Sequence, residues 1–266
     1  MSRGRRGHRT AIQGGPQRTL PIGANNAYPR PMSTIATPGP WHRATFLHRP
    51  NRFVVHARLA DTGAEVRTHL PDPGRLGELM LPGRTLWLKP AETPRKTAWS
   101  TVYVETEDGE LVCCDTQRPN QIVRAALEAN AISELADWTL IRAEAPWQSS
   151  RFDFLLGADA ERLYLEVKGV SWIEGRTARF PDAVTARGAK HLRELAEIAN
   201  EPGHQAAALF VLQRSTDVDA IEAAGDRDPV FANALEGARA NGVQILGRRT
   251  TMTLDQTTMG GPIPVR

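Results

Sequence analysis

Asp153, Glu166 and Lys168 lie within residues 150–168, SRFDFLLGADAERLYLEVK, where two short apolar runs flank a polar turn. That pattern predicts a pair of strands meeting at one sheet edge. A strand repeats every two residues, so Glu166 and Lys168 share one face while Leu165 and Val167 turn to the other to pack. Asp153 shares its own face with Arg151 and Leu155. Two carboxylates and an ammonium at this spacing form a site for a hard divalent cation, with a positive group beside it to hold an anionic oxygen.

An E-x-K pair also fits a solvated strand face, and composition bears on the choice. The chain carries 29 arginines but four lysines, Lys89, Lys96, Lys168 and Lys190, so arginine is its default cation. A lysine supplies a compact point charge with a movable pKa, which a planar guanidinium lacks. Keeping lysine at 168 therefore favours a site over a merely charged surface.

The elements that must position these residues come from 266 residues, enough for two modest domains with separate cores. No apolar run approaches a membrane span, and the longest, 206–212, suits a buried strand. No membrane partner is expected, and the N-terminal region lacks the apolar stretch of a secretory signal. Cys113 and Cys114 are adjacent, a poor geometry for a mutual disulfide, which points to a reducing cytoplasm. The net charge of +3 conceals an uneven distribution: residues 1–40 hold six arginines and no acid, leaving 27 basic against 30 acidic groups elsewhere. Residues 119–266 alone come to −4, so a nucleic-acid partner has to be met by a local patch.

Residues 1–40, rich in Gly, Pro and Arg, read as a disordered basic tail. Such a tail either adds phosphate affinity, mimics a transit peptide, or is an extension ahead of a start at Met32. Over 41–118, short strands at 52–60, 65–70, 84–89, 101–105 and 110–115 alternate with turns and predict a small all-β barrel of the OB type. Trp87, Trp99, Tyr103, Arg95 and Lys96 are candidates for a nucleic-acid face on it, or equally for core and ordinary surface. The insert HLPDPGRLGELMLPG gathers His69, Asp72 and Arg75, with Arg75 either a phosphate ligand or the partner of a local turn.

After Pro119 the apolar period lengthens to that of a helix reaching about 135, with Asn120 as a candidate cap. Strands at 139–145, 151–156 and 163–168 follow, then a helix capped by Thr185, a buried strand at 206–213, a helix at 228–241 and a last strand at 243–246. This order predicts an α/β domain with a mixed sheet over 119–253 and a C-terminal tail at 254–266.

The strings HLPDPGRL, DTQRPN, SRFDFLL, LYLEVKGVSW, FPDAVTARGAKHLREL and ALFVLQR occur in that order across roughly residues 41–250. Together they make the chain similar to the sugar fermentation stimulation protein A family of bacteria and archaea. The resemblance implies an OB-fold followed by a PD-(D/E)xK nuclease-like domain, DNA binding, and a link to the regulation of sugar, notably maltose, metabolism. It places the nuclease acids on Asp153 and Glu166 and the lysine on Lys168, with Phe152 where a proline would complete the PD half of the name. For a further acid, Glu144 on the adjoining strand is preferred over Glu128, and Asn120 reads better as a plain helix cap.

The implied chemistry is phosphodiester hydrolysis with Mg²⁺ (or Mn²⁺) on Asp153 and Glu166, and Lys168 orienting water or stabilising the charged transition state. Just past the acids, Arg176, Arg179, Arg187, Lys190 and Arg193 face only Glu174 and Asp182 in sequence, which makes this stretch the expected phosphate-contacting surface. His191 is placed there as a proton carrier or a structural residue, and Trp172 either stacks on a base or closes the core. Neither a helix-turn-helix nor a zinc-finger pattern occurs, so the DNA affinity expected is largely non-specific and salt-dependent. Three readings remain: a metal-dependent nuclease, a DNA-binding regulator with an idle site, and a sugar or nucleotide binder acting through the barrel.

Overall fold

The computed structural model describes Met1 and residues 32–266, so the expectation of a disordered tail at 2–31 lies outside the described residues. In chain order the elements are β1 (Thr34–Ala36), β2 (His42–Asn51), β3 (Val54–Leu59), β4 (Glu65–His69), β5 (Thr85–Pro90), β6 (Trp99–Glu105) and β7 (Leu111–Cys113). Then come α1 (Arg118–Glu128), a short 3-10 turn (Ser133–Leu135), β8 (Thr139–Trp147), β9 (Ser150–Ala158), β10 (Glu161–Val170), β11 (Trp172–Glu174) and β12 (Thr177–Phe180). The chain ends with α2 (Ala186–Ala199), β13 (His204–Leu212), β14 (Ala220–Ala223), α3 (Pro229–Ala240), β15 (Gln244–Met252) and β16 (Gln256–Pro262).

Strands β4, β3, β2, β5 and β6 pair in that order and close through β4 against β6, with β7 added beside β6, giving the OB barrel. Alternation drives its closure: Val55, Ala57 and Leu59 from β3 and Leu86 and Leu88 from β5 all point into one core. Tyr103 is wholly buried and meets Trp41 at a tilt of 59°, and the half-buried Trp87 donates its indole N–H to Glu105, so these aromatics help to build the barrel.

The second domain is a seven-stranded sheet in the order β1-β16-β15-β13-β10-β9-β8, in which β10, β13 and β15 run parallel. One face packs Leu163, Leu165 and Val167 against Ile122, Val123, Ala126 and Leu127 of α1. The other packs Tyr164, Ala208 and Phe210 against Leu192 and Leu195 of α2 and Phe231 and Leu235 of α3. Thr185 caps α2 through Gly188 N, as its sequence predicts, and Asp228 caps α3.

Three expectations need correction. Residues 34–36 and 256–262, assigned by composition to tails, form β1 and β16 and extend the main sheet. Both are Thr- and Gly-rich or very short, so their stability comes largely from strand pairing, β16 with β15 and β1 with β16. The first helix stops at Glu128, because Asn130 turns to a positive φ of 51°. A small sheet of β11, β12 and β14 also flanks the domain, each strand too short to declare itself by alternation.

The domains are joined through the main chain. Cys113 N donates to Gln213 O at the end of β13, and Leu76 N in the barrel insert donates to Asp182 Oδ2 at 2.7 Å. Arg49 fastens that insert by donating to the carbonyls of Arg52, Asp72, Gly74 and Arg75.

Candidate active site

Strands β9 and β10 are paired from Ala158↔Glu161 to Phe154↔Leu165, and then they part. At this fork the Asp153 carboxylate takes over from the missing strand: its Oδ2 accepts from Val167 N at 2.7 Å. Phe152 joins the core beneath α2 while Phe154 joins the core beneath α1, although residues two apart in a regular strand share a face. The distortion spans both strands, because Glu144, between the partners of Phe152 and Phe154 on β8, has a φ of +53°. A left-handed non-glycine residue costs about 1 kcal/mol, a strain typical of functional edges.

On β10, Glu166 and Lys168 share the α2-facing side, as alternation requires. Glu166 is 5% exposed. Its Oε1 accepts from Lys168 Nζ and from His191 Nδ1, the latter at 2.7 Å, and its Oε2 has no partner among the described residues. Arg187 Nε donates to His191 Nε2 at 3.3 Å, so the two contacts together fix the Nδ1–H tautomer of the imidazole.

Asn120 is not the helix cap that its position suggested. Gln117 occupies that place, and Asn120, in the first turn of α1, donates Nδ2 to Asp153 Oδ1 at 2.6 Å. Gly169 permits this approach: a Cβ there would stand 2.9 Å from Gln213 Nε2 and 3.0 Å from Pro119 Cγ.

The electrostatics of the two acids diverge. Burial, and next the charge of Glu166, push the Asp153 carboxyl up to about 6 against the hydrogen bonds from Val167 N and Asn120. Burial also opposes ionisation of Glu166, but the hydrogen bond from His191 and the charge of Lys168 outweigh it and hold that carboxyl below the usual range. A divalent cation would relieve the repulsion that raises Asp153, so the donor set fits one. Among the described residues no group of three or more His, Cys, Asp or Glu side chains could enclose a metal, so an ion here would have two carboxylates from the chain, Asp153 and Glu166.

Other expected residues fall in different places. Glu144 lines a cleft of about 150 Å³ with Asp153 and Asn120, but its side chain is 64% exposed and reaches Arg151 at 3.7 Å, so it is a rim residue. Glu128 is paired with Arg124 one helical turn away and does not join the site. His191, expected on a phosphate-contacting surface, is 3% exposed and serves Glu166 instead.

The basic stretch past the acids does not act as one patch, because it bends through a hairpin before entering α2. Arg187 and Lys190 line a groove of about 710 Å³ with Arg151, Ser149 and Ser150, adjoining His191. Arg176 is instead paired with Asp217 and Asp219, and Arg179 with Glu174 and Asp226. Trp172 is covered by Arg227 at 3.8 Å and closes the core. Arg75 offers its carbonyl to Arg49 with its side chain exposed, Arg95 is held by Thr97 O and Ser100, and Lys96 is exposed on the barrel.

Comparison with known proteins accounts for both domains. The profile described as the sugar fermentation stimulation protein RE domain matches residues 117–256, and that of the SfsA N-terminal OB domain matches residues 47–114. A sugar fermentation stimulation protein homolog of Shouchella clausii is 43% identical over 227 residues, covering 85% of this chain and 97% of its own. One from Dinoroseobacter shibae is 42% identical, covering 84% of this chain and 92% of its own. Among solved structures, Pyrococcus furiosus SfsA in complex with Ca²⁺ superposes with a TM-score of 0.78 at 27% identity, covering 86% of this chain and 97% of its own. With both domains matched and homologs above 40% identity along most of its length, the chain belongs to the sugar fermentation stimulation protein family.

Proposed function

We propose that the protein is a metal-dependent phosphodiesterase that cuts DNA. The reading rests on the convergence of Asp153 and Glu166 with Lys168 where β9 and β10 part. Asp153 and Glu166 would hold Mg²⁺ or Mn²⁺, and a relative solved with Ca²⁺ supports divalent-cation binding by this fold. Such an ion supplies Lewis acidity at the phosphoryl group and a lowered pKa for water.

The remaining tasks fall to the chain's own groups. Asn120 and Val167 N steer Asp153 and favour its ionised form. His191 keeps Glu166 oriented, which frees the Lys168 ammonium to turn toward a non-bridging phosphate oxygen and stabilise charge there. Arg187 and Lys190 in the neighbouring groove would hold the flanking backbone, giving binding that tracks phosphates and not base sequence. Two buried thiols without disulfides fit a reducing cytoplasm.

A second reading is a DNA-binding regulator of sugar (maltose) metabolism that does not cut; the net −4 of residues 119–266 argues for weak or regulated DNA engagement. Incubation with plasmid, single-stranded and branched DNA in Mg²⁺ or Mn²⁺ separates the two. Cleavage that disappears in both Asp153→Ala and Lys168→Ala supports the enzyme. DNA retention without metal-dependent cutting by the wild type overturns it in favour of the regulator.

A further inference from the structure

Between the barrel and the first turn of α1 lies a second cavity, of about 480 Å³. Arg118, the first residue of α1, lines it and is 8% exposed. Its Nε is buried with no hydrogen-bond partner among the described residues, and its ion contact to Asp115 Oδ2 spans 3.6 Å, beyond hydrogen-bond length. A guanidinium held out of water with unmet donors is costly, and the partner that suits its planar fork is an oxyanion that can accept two of them.

The surroundings supply more of the same chemistry. Lys89 and Arg95 reach the cavity from the barrel, Lys89 lying over the Trp41 ring at 5.2 Å and Arg95 braced on Thr97 O and Ser100. The helix opens here without a side-chain cap at Gln117, but Arg118 N already donates to Asp115 O at 3.1 Å and Pro119 has no N–H, so an anion here would be held by side chains and not by the first amides. Two carboxylates, Glu92 and Asp115, also line the space, and Asp115 is partly spent on Gln117 N at 3.0 Å.

We propose that this cavity is a phosphate subsite with Arg118 as its principal ligand, Lys89 and Arg95 guarding its mouth. The proposal deepens the nuclease reading and rests on it for the identity of the ligand. Gln121 lines both this cavity and the cleft of Asp153, and Arg118 is two residues from Asn120, so the subsite and the acids lie on the same first turns of α1. A strand whose reacting phosphate meets Asp153 and Glu166 would lay a neighbouring phosphate against Arg118. The same phosphate chemistry is available from a free mononucleotide, and the measurements below tell the two apart.

Affinity for a labelled single-stranded oligonucleotide is measured in EDTA, as a function of salt, for wild type, Arg118→Gln, Arg118→Lys and the double variant Lys89→Ala/Arg95→Ala. Thermal stability with inorganic phosphate and with AMP is measured in parallel. Arg118→Gln should bind the oligonucleotide about tenfold more weakly and lower the slope of log K against log salt by about one. Arg118→Lys should recover part of the loss, as a charge without the fork. Replacing half-buried Lys89 and exposed Arg95 at the mouth should weaken binding even if Arg118→Gln proves unfolded.

If oligonucleotide affinity is unchanged but phosphate or AMP stabilises wild type and not the Arg118 variants, the ligand is a free phosphorylated molecule at the same subsite. Unchanged oligonucleotide affinity and unchanged phosphate response in every folded variant overturn the subsite. Working without metal keeps this outcome separate from a failure of cleavage, which would count against the nuclease reading alone.

Discussion

Asn120 donates its side-chain amide to the Asp153 carboxylate at 2.6 Å, bridging α1 and β9. The bond favours the charged form of an acid that burial and Glu166 otherwise push up to about 6. At sub-saturating metal, metal-dependent activity should therefore rise through pH 6 as Asp153 ionises in the metal-free protein. Removing the bond with Asn120→Ala should move that acidic limb upward by about half to one pH unit. A pH–rate profile of the two proteins checks this, and coincident limbs would exclude the bond as a tuning device.

The same carboxylate should make the metal-free protein less stable as pH rises. A folded-state value of about 6 lies above the value of about 3.9 expected in the unfolded chain. The folded state therefore binds the extra proton between these limits. Its contribution is complete below pH ~4 and is lost as pH climbs through ~6, leaving a cost of about 3 kcal/mol at pH 8. Asp153→Asn keeps both hydrogen bonds if Asn120 turns its amide over, and removes the charge. It should melt about 5 °C higher than wild type at pH 8, with the gap closing at pH ~4.5 and shrinking on addition of Mg²⁺. Equal melting at pH 8 would show that burial and the charge of Glu166 do not raise the Asp153 carboxyl.

Lys168 is 13% exposed at its side chain and tied to Glu166, whose other partner is His191. Lys168→Ala should lower stability by about 1–3 kcal/mol while lowering the cleavage rate about 10³-fold. Lys168→Arg should not restore turnover, because a planar fork cannot replace a point charge in so enclosed a place. Restored cleavage in the arginine variant would reduce Lys168 to a charge carrier.

In the groove beside His191, Arg187→Ala and Lys190→Ala should each weaken DNA binding a few-fold and make the salt dependence shallower by roughly one counterion. Arg176→Ala should change neither, since that guanidinium is already engaged by Asp217 and Asp219. Fluorescence anisotropy between low and high salt checks both, and equal losses in all three would mean that the groove has no special role.

The placement of Glu166 beside Lys168 was legible in the sequence because it is local: the two are two apart on one strand, and alternation alone puts them on one side. Asn120 was not, because its partner is 33 residues away and a residue near a helix start reads first as a cap. The basic stretch of 176–193 misled for a related reason. Charge counted along a chain ignores the acids of the loops flanking β14, Asp219 and Asp226, which neutralise Arg176 and Arg179 from 40 or more residues away. The outer strands β1 and β16 escaped notice because pairing, not composition, holds them.

The junction between barrel and sheet carries one further consequence. Cys113 N is bonded to Gln213 O, Gln213 N is bonded to Val170 O, and Val170 ends the strand that bears Glu166 and Lys168. A swing of the barrel would have to break this seam, so these bonds hold the barrel against the strand that carries the acid and the lysine. For the nuclease proposed above, this seam would set the width of the mouth that a nucleic acid meets.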